Sequence, residues 1–154
     1  MKKRINSINK GKRFERLVAK ILSEKLGVPF QRTAQSGAFA TVNGLKMMRG
    51  DIFTEHPAYK DLVVECKFRR DAFKIEEFFL QAREDNLNGF LAQTWDEAGC
   101  DETLGQKPNW ILFVKSNGHN ILFFTFNQEI ADKISPRRKQ ALILMDTKFI
   151  VGML

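Results

Sequence analysis

"LVVECKF", Leu62 to Phe68, is the stretch whose reading decides how this chain folds. Side chains alternate across a strand with period two. Leu62, Val64, Cys66 and Phe68 then share one apolar face, and Val63, Glu65, Lys67 and Arg69 share the other. The alternation predicts a strand laid with its apolar face on a core. Two readings of the opposite face stay open. Glu65 and Lys67 are either solvated neighbours of opposite sign or part of a site completed from elsewhere in the chain.

Working outward, "GDIF" at 50–53 begins a second strand, and "HPAYKD" at 56–61 is a turn because Pro57 cannot donate to a ladder. So short a connection implies that the two strands run antiparallel. Thirteen residues separate Asp51 from Glu65, a spacing that can bring the two carboxylates side by side, with Lys67 on the same face. That trio suits phosphodiester hydrolysis. Mg²⁺ asks for an octahedral shell of oxygens and keeps several waters, so two carboxylates can hold it with positions to spare. The ion polarises a phosphate and acidifies its bound water. A lysine beside it can orient that water or offset charge building on phosphorus.

Upstream, a helix is expected from about Asn9, which can cap it, to Leu26, with Gly27 as its stop. Phe14, Leu17, Val18, Ile21 and Leu22 form its expected buried stripe. Glu15, seven residues before Leu22, falls at the edge of that stripe, where it can reach in as an outer, water-mediated ligand or as a second-metal ligand. Residues 1–8 read as a basic arm and 9–154 as a single domain. Residues 28–50 hold a strand with glycine-containing connections, and Ile75 to about Ala98 has a helical pattern. "NWILFV" and "NILFFTF" read as strands of a hairpin turning at Asn117-Gly118. A short helix around 128–134 and an apolar segment over 141–153 close the chain. The fold class expected is α/β (α+β), with a mixed central sheet flanked by helices.

The chain carries 25 Lys and Arg against 18 acids, a net charge of +7, which argues for a polyanionic partner. The basic residues cluster: Lys2, Lys3 and Arg4; Lys10, Lys12, Arg13 and Arg16; Lys67, Arg69 and Arg70; Arg137, Arg138 and Lys139. The last group is as compatible with a solvated run as with phosphate contact. Cys66 and Cys100 make neither a metal-type spacing nor a disulfide framework, in keeping with a reducing, cytoplasmic setting. No apolar run suits a membrane span. His56 and His119 sit in turns, which disfavours a histidine-based site, and Trp95 and Trp110 read as core or interface residues rather than stacking platforms.

"GD" at 50–51 followed by "ECK" at 65–67 resembles the PD-(D/E)xK nuclease motif, with Gly50 where proline is common. "GKRFERLVAKIL" at 11–22 is similar to the first helix of the archaeal-type Holliday-junction resolvases, which also occur in phages. "AQSGAF", with Ser36-Gly37, stands where that family has a Ser-Gly element. The resemblance covers residues 9–70, and beyond them only the element order. It implies a restriction-endonuclease-like core with Glu15, Ser36, Asp51, Glu65 and Lys67 as catalytic residues. It further implies Mg²⁺, for which Mn²⁺ substitutes, on Asp51, Glu65 and the Cys66 backbone carbonyl. DNA is expected on Lys10, Lys12, Arg13, Arg32, Ser36, Arg69 and Arg70. The expected activity is resolution of four-way DNA junctions by paired nicks from a homodimer, without membrane or small-molecule cofactor. The alternative is a nuclease of the same fold cutting ordinary duplex in repair, restriction or phage DNA processing. "ILFFTF" at 121–126, apolar on both faces, is either a central strand of a covered sheet or half of the dimer interface.

Overall fold

A computed structural model describes residues 7–33, 50–69, 109–137, 139–144 and 147–154. The expected helix over Ile75–Ala98 lies outside these residues, as do Ser36, Arg70 and Cys100.

Helix α1 is described over Ser7–Leu26, so Ser7 and Ile8, assigned from sequence to the arm, are helical. Its buried residues are Phe14, Val18, Ala19, Leu22 and Leu26, whereas Leu17 is 43% exposed. The apolar stripe is therefore turned away from Leu17 and toward the line Glu15–Ala19–Leu22–Leu26, whose spacings of four, three and four place it on one flank. Small Ala19 permits that rotation by letting the helix sit close to the sheet. Gly27 ends α1 with φ +70° and donates its N–H to the Ser23 carbonyl at 3.1 Å, a left-handed cap. The Ser23 hydroxyl then accepts the Phe30 N–H at 2.9 Å, steering the chain straight into the sheet.

Among the described residues seven strands follow: β1 (Gln31–Arg32), β2 (Ile52–Phe53), β3 (Val63–Arg69), β4 (Trp110–Ser116), β5 (Leu122–Thr125), β6 (Lys139–Leu144) and β7 (Thr147–Met153). Their order across the sheet is β1-β2-β3-β4-β5-β7-β6. Among the described strands only β3 and β4 run parallel, and every other pair is antiparallel. The protein is thus an α+β fold around a mixed sheet, consistent with a restriction-endonuclease-like core. The β4–β5 hairpin turns where Asn117-Gly118 predicts it, with Gly118 at φ +75°. The closing apolar segment proves to be two strands, β6 and β7, paired from Lys139↔Gly152 to Leu144↔Thr147.

Helix α2 (Gln128–Ile134) falls at the expected place. Asn127 caps it by accepting the Ile130 N–H at 3.1 Å. Ile130, Ala131 and Ile134 join Phe14, Val18 and Leu22 over one face of the sheet, against Val64, Ile111, Phe113 and Phe123. Leu62, Cys66 and Phe68 belong to the same cluster, as the alternation in "LVVECKF" requires. The register puts Val63, Glu65 and Lys67 on the other face with Trp110, Leu112 and Val114. Much of that face is also buried, with Trp110, Leu112 and Phe124 out of water and Lys67 partly exposed. Glu65 therefore sits in a dry sheet, and the solvated-face reading of β3 does not hold.

β5 lies inside the sheet between β4 and β7, and both Phe123 and Phe124 are buried within this one chain. Of the two readings of "ILFFTF", the central strand is the one realised. These aromatic rings are core and lend no support to an interface.

Candidate active site

The site starts with the backbone of Gly50. At φ +81° it occupies the left-handed region, and it lies so close to β3 that a Cβ would come 2.5 Å from the Val64 carbonyl oxygen. This contact lets the Asp51 N–H donate to that same carbonyl at 2.8 Å. From the other side, the Thr33 N–H donates to the Asp51 carbonyl at 2.9 Å. Asp51 is thus held by both neighbouring segments, and its Oδ2 accepts the Cys66 N–H at 2.9 Å. In place of proline, glycine is what this approach demands, since proline fixes φ near −65°.

The Cys66 amide points toward Asp51 and not toward β4. A strand residue presents its N–H and C=O to the same side, so the Cys66 carbonyl, assigned from sequence to the metal, also points to the Asp51 side. The Cys66 side chain lies on the opposite, core face. Burial pushes its thiol well above the ordinary range, and the charges of Asp51, Glu65 and Glu15 add to the effect.

Glu65 is only 3% exposed and stands beside Asp51, close enough for the two carboxyls to share a hydrogen bond. Lys67 Nζ lies 4.0 Å from Glu65 Oε2, with its side chain about a fifth exposed. Desolvation raises the pKa of Asp51, and the negative charge of Glu15 raises it further; the Cys66 amide and Lys67 pull the other way. The three residues of the "GD…ECK" pattern are therefore assembled in space, and Glu15 is within electrostatic reach of them.

Glu15 itself is engaged: its Oε2 forms an ion pair and hydrogen bond with Nε of Arg32. Both side chains are mostly buried. The sequence places Arg32 among the DNA contacts, whereas the structure joins it to Glu15. Nothing local announces this pair, because the partners are seventeen residues apart on a helix and an edge strand. Thr33 is likewise a residue that sequence patterning passes over.

Lys12 and Arg13 are exposed and Lys10 is half-exposed on α1. Lys12 lies three residues before Glu15, one turn along the same flank. The side chain of Arg69 is outside the described residues. At the far end of the chain, Lys139 is committed to structure: its Nζ meets Asp132 at 2.7 Å and the Pro136 carbonyl at 2.9 Å. His56 is exposed, its Nδ1 accepting the Ala58 N–H at 3.2 Å, as a turn histidine would.

The donor set fits a divalent cation. Two carboxylates and a backbone carbonyl are hard oxygen ligands, and a positive ion at this point would relieve the opposition between Asp51 and its acidic neighbours. Among the described residues no three His, Cys, Asp or Glu side chains close into a cage. An ion held by two carboxylates keeps open positions for water and phosphate, which suits Mg²⁺ chemistry.

An α+β domain that sets Asp51 and Glu-x-Lys on neighbouring strands, with a helix offering an acid beside them, is a core of the PD-(D/E)xK nuclease superfamily. The comparison of families agrees. The model for the family described as "Phage putative PDDEXK endonuclease" matches residues 6–151, and the chain belongs to that family. It is similar to Protein D14 of Escherichia phage T5, with 27% identity over 151 residues, 97% of this chain and 89% of that protein. No solved structure matches it. No helix among the described residues is long and apolar enough to cross a membrane.

Proposed function

We propose that this protein is a divalent-metal-dependent endodeoxyribonuclease that cuts branched DNA, with the four-way junction as its substrate. The observation that carries the nuclease reading is the placement of Asp51, Glu65 and Lys67 around one point at the β2–β3 edge. Family membership supports it. The preference for branched DNA is supported by the likeness of the first helix to that of junction resolvases and by Glu15 standing near Asp51.

In this reading Asp51, Glu65 and the Cys66 carbonyl would hold the cation, and Glu15 would act on it at most through water. Bound Mg²⁺, or Mn²⁺ in its place, supplies polarisation of the scissile phosphate and a lowered pKa for water. Lys67 presents its ammonium to the oxygens on which negative charge develops. Glu65 Oε2 lies 4.0 Å from that ammonium, an ion-pair separation that draws the lysine toward the site. The dry surroundings of Glu65 strengthen each of these interactions relative to water. Lys10, Lys12 and Arg13, with Ser36, Arg69 and Arg70, bind the phosphate backbone, which sets register without reading sequence.

A four-way junction has two-fold symmetry, and one site per chain makes one nick. A C2 homodimer is therefore the assembly that resolves it. The reaction takes place in the host cytoplasm, where phage DNA is processed. The test is cleavage with Mg²⁺ of a four-way junction beside a linear duplex of equal length and sequence. Paired nicks in the junction and a spared duplex are expected. Equal cutting of both would move the assignment to a duplex-directed nuclease of the same fold.

A further inference from the structure

Three carboxylates, Glu15, Asp51 and Glu65, stand around this site, yet only two are placed to serve as direct cation ligands. The third is already occupied by Arg32. Arg32 sits on β1 directly opposite Ile52, the residue after Asp51. The next residue, Thr33, donates its N–H to the Asp51 carbonyl. One short strand therefore ties the Glu15 carboxylate, through a guanidinium, to the backbone of the metal-side aspartate.

Resting on the nuclease reading above, we infer that Arg32 is a positioning residue that withholds Glu15 from the cation, so that the site binds metal through Asp51 and Glu65 alone. The guanidinium neutralises the third negative charge and fixes the direction of its carboxylate. Both partners are largely out of water, which makes the pair more than a screened surface contact. Without Arg32, an uncompensated carboxylate beside Asp51 would turn inward to whatever positive charge the site contains. A cation would then be gripped by three acids instead of two, at the expense of a position needed for water or phosphate.

The experiment measures Mn²⁺ affinity by calorimetry on the whole chain without DNA, alongside thermal melts, for wild type, Arg32→Gln, Glu15→Gln and the double variant. Arg32→Gln is expected to bind Mn²⁺ about three- to tenfold more tightly, the pull of one released charge through a partly wet medium. It should also cleave DNA more slowly. Glu15→Gln should show no such gain, and the double variant should match Glu15→Gln alone, because Arg32 acts through Glu15. Arg32→Lys, which keeps the charge but not the planar fork, should fall between wild type and Arg32→Gln; it carries the test if Arg32→Gln fails to fold. Unchanged Mn²⁺ affinity in Arg32→Gln, or a gain that persists in the Glu15→Gln background, would overturn the assignment. A wild-type chain that neither binds Mn²⁺ nor cuts DNA would instead overturn the nuclease reading itself.

Discussion

Gly50 offers the most quantitative test of how the site is built. Replacing it with alanine imposes two costs. A residue with a Cβ at φ +81° carries a left-handed penalty of about 1–2 kcal/mol. The new Cβ also meets backbone, 2.5 Å from the Val64 oxygen and 3.1 Å from its nitrogen, and backbone in a seven-stranded sheet cannot swing aside like a side chain. Relieving such an overlap costs about 1–3 kcal/mol. Alanine recovers somewhat under about 1 kcal/mol by stiffening the unfolded chain. The net expectation is about 2–4 kcal/mol of lost stability, or a Tm lower by roughly 5–15 °C for a chain of this length. The displacement also moves Asp51, whose N–H is bonded to that Val64 carbonyl, so cleavage should fall further than stability. Circular dichroism melts and urea titration measure the first effect, and a junction-cutting assay the second. Gly11→Ala is the control: it is helical, nothing lies within 4 Å of its added Cβ, and it should melt higher than wild type. If Gly50→Ala melted within a degree of wild type and cut normally, the close approach of Gly50 to β3 would be refuted. Gly50→Pro, which restores the common form of the motif, should be worse than alanine, because its ring cannot reach this φ.

Asp51→Asn, Glu65→Gln and Lys67→Ala should each abolish cleavage while DNA binding persists in gel shifts, since affinity comes from phosphate neutralisation elsewhere; near wild-type turnover in any of them would remove that residue from the site. Asp51 ionises at a higher pH in the folded chain than in the unfolded one, because burial and then Glu15 oppose its charge. The folded state holds the extra proton between those two values, so this carboxyl costs stability as pH rises through the window upward from its ordinary 3.8. Asp51→Asn should therefore melt above wild type at neutral pH in EDTA, and added Mg²⁺ should stabilise wild type but not the variant; a variant that melts lower in EDTA contradicts the assigned cause. Buried Thr125 donates its hydroxyl to the Trp110 carbonyl at 2.6 Å and accepts the Asn127 N–H at 3.0 Å. Thr125→Val strips both bonds and should cost about 1–3 kcal/mol in urea unfolding, with an unchanged midpoint as the refuting result.

What could be read before folding was whatever is periodic or local. The alternation in "LVVECKF", the Asn117-Gly118 turn, the short helix around 128–134 and the stop at Gly27 each act within a few residues, and each reappears in the structure. The Asp51–Glu65 approach was legible because a short turn leaves antiparallel pairing as the natural outcome. The rest depends on contacts that no window contains. The stripe of α1 turns on whether Leu17 or Ala19 meets the sheet, and two apolar residues on adjacent flanks look alike in a helical pattern. Glu15 finds Arg32, and Lys139 finds Asp132, only after separate elements have docked. The division between β6 and β7 went unseen because Leu144-Met145-Asp146-Thr147 contains no glycine, proline or asparagine to mark a turn.

The parallel pairing of β3 with β4 bears on when this enzyme can become active during its own synthesis. Every acid of the cluster and its lysine have been synthesised by Arg69, but β4, which pairs with β3, begins only at Trp110, about 40 residues later. At roughly 5–20 residues per second, that is a lag of some 2–8 s. Through that interval one edge of β3 is bare, and Leu112, the residue that stands opposite Glu65 in the register, has yet to be made. The nascent half therefore carries the complete chemistry in an unfinished setting. A chain that stops before β4 lacks Leu112 opposite Glu65, so on the nuclease reading it is expected to hold the catalytic residues without the sheet that buries them.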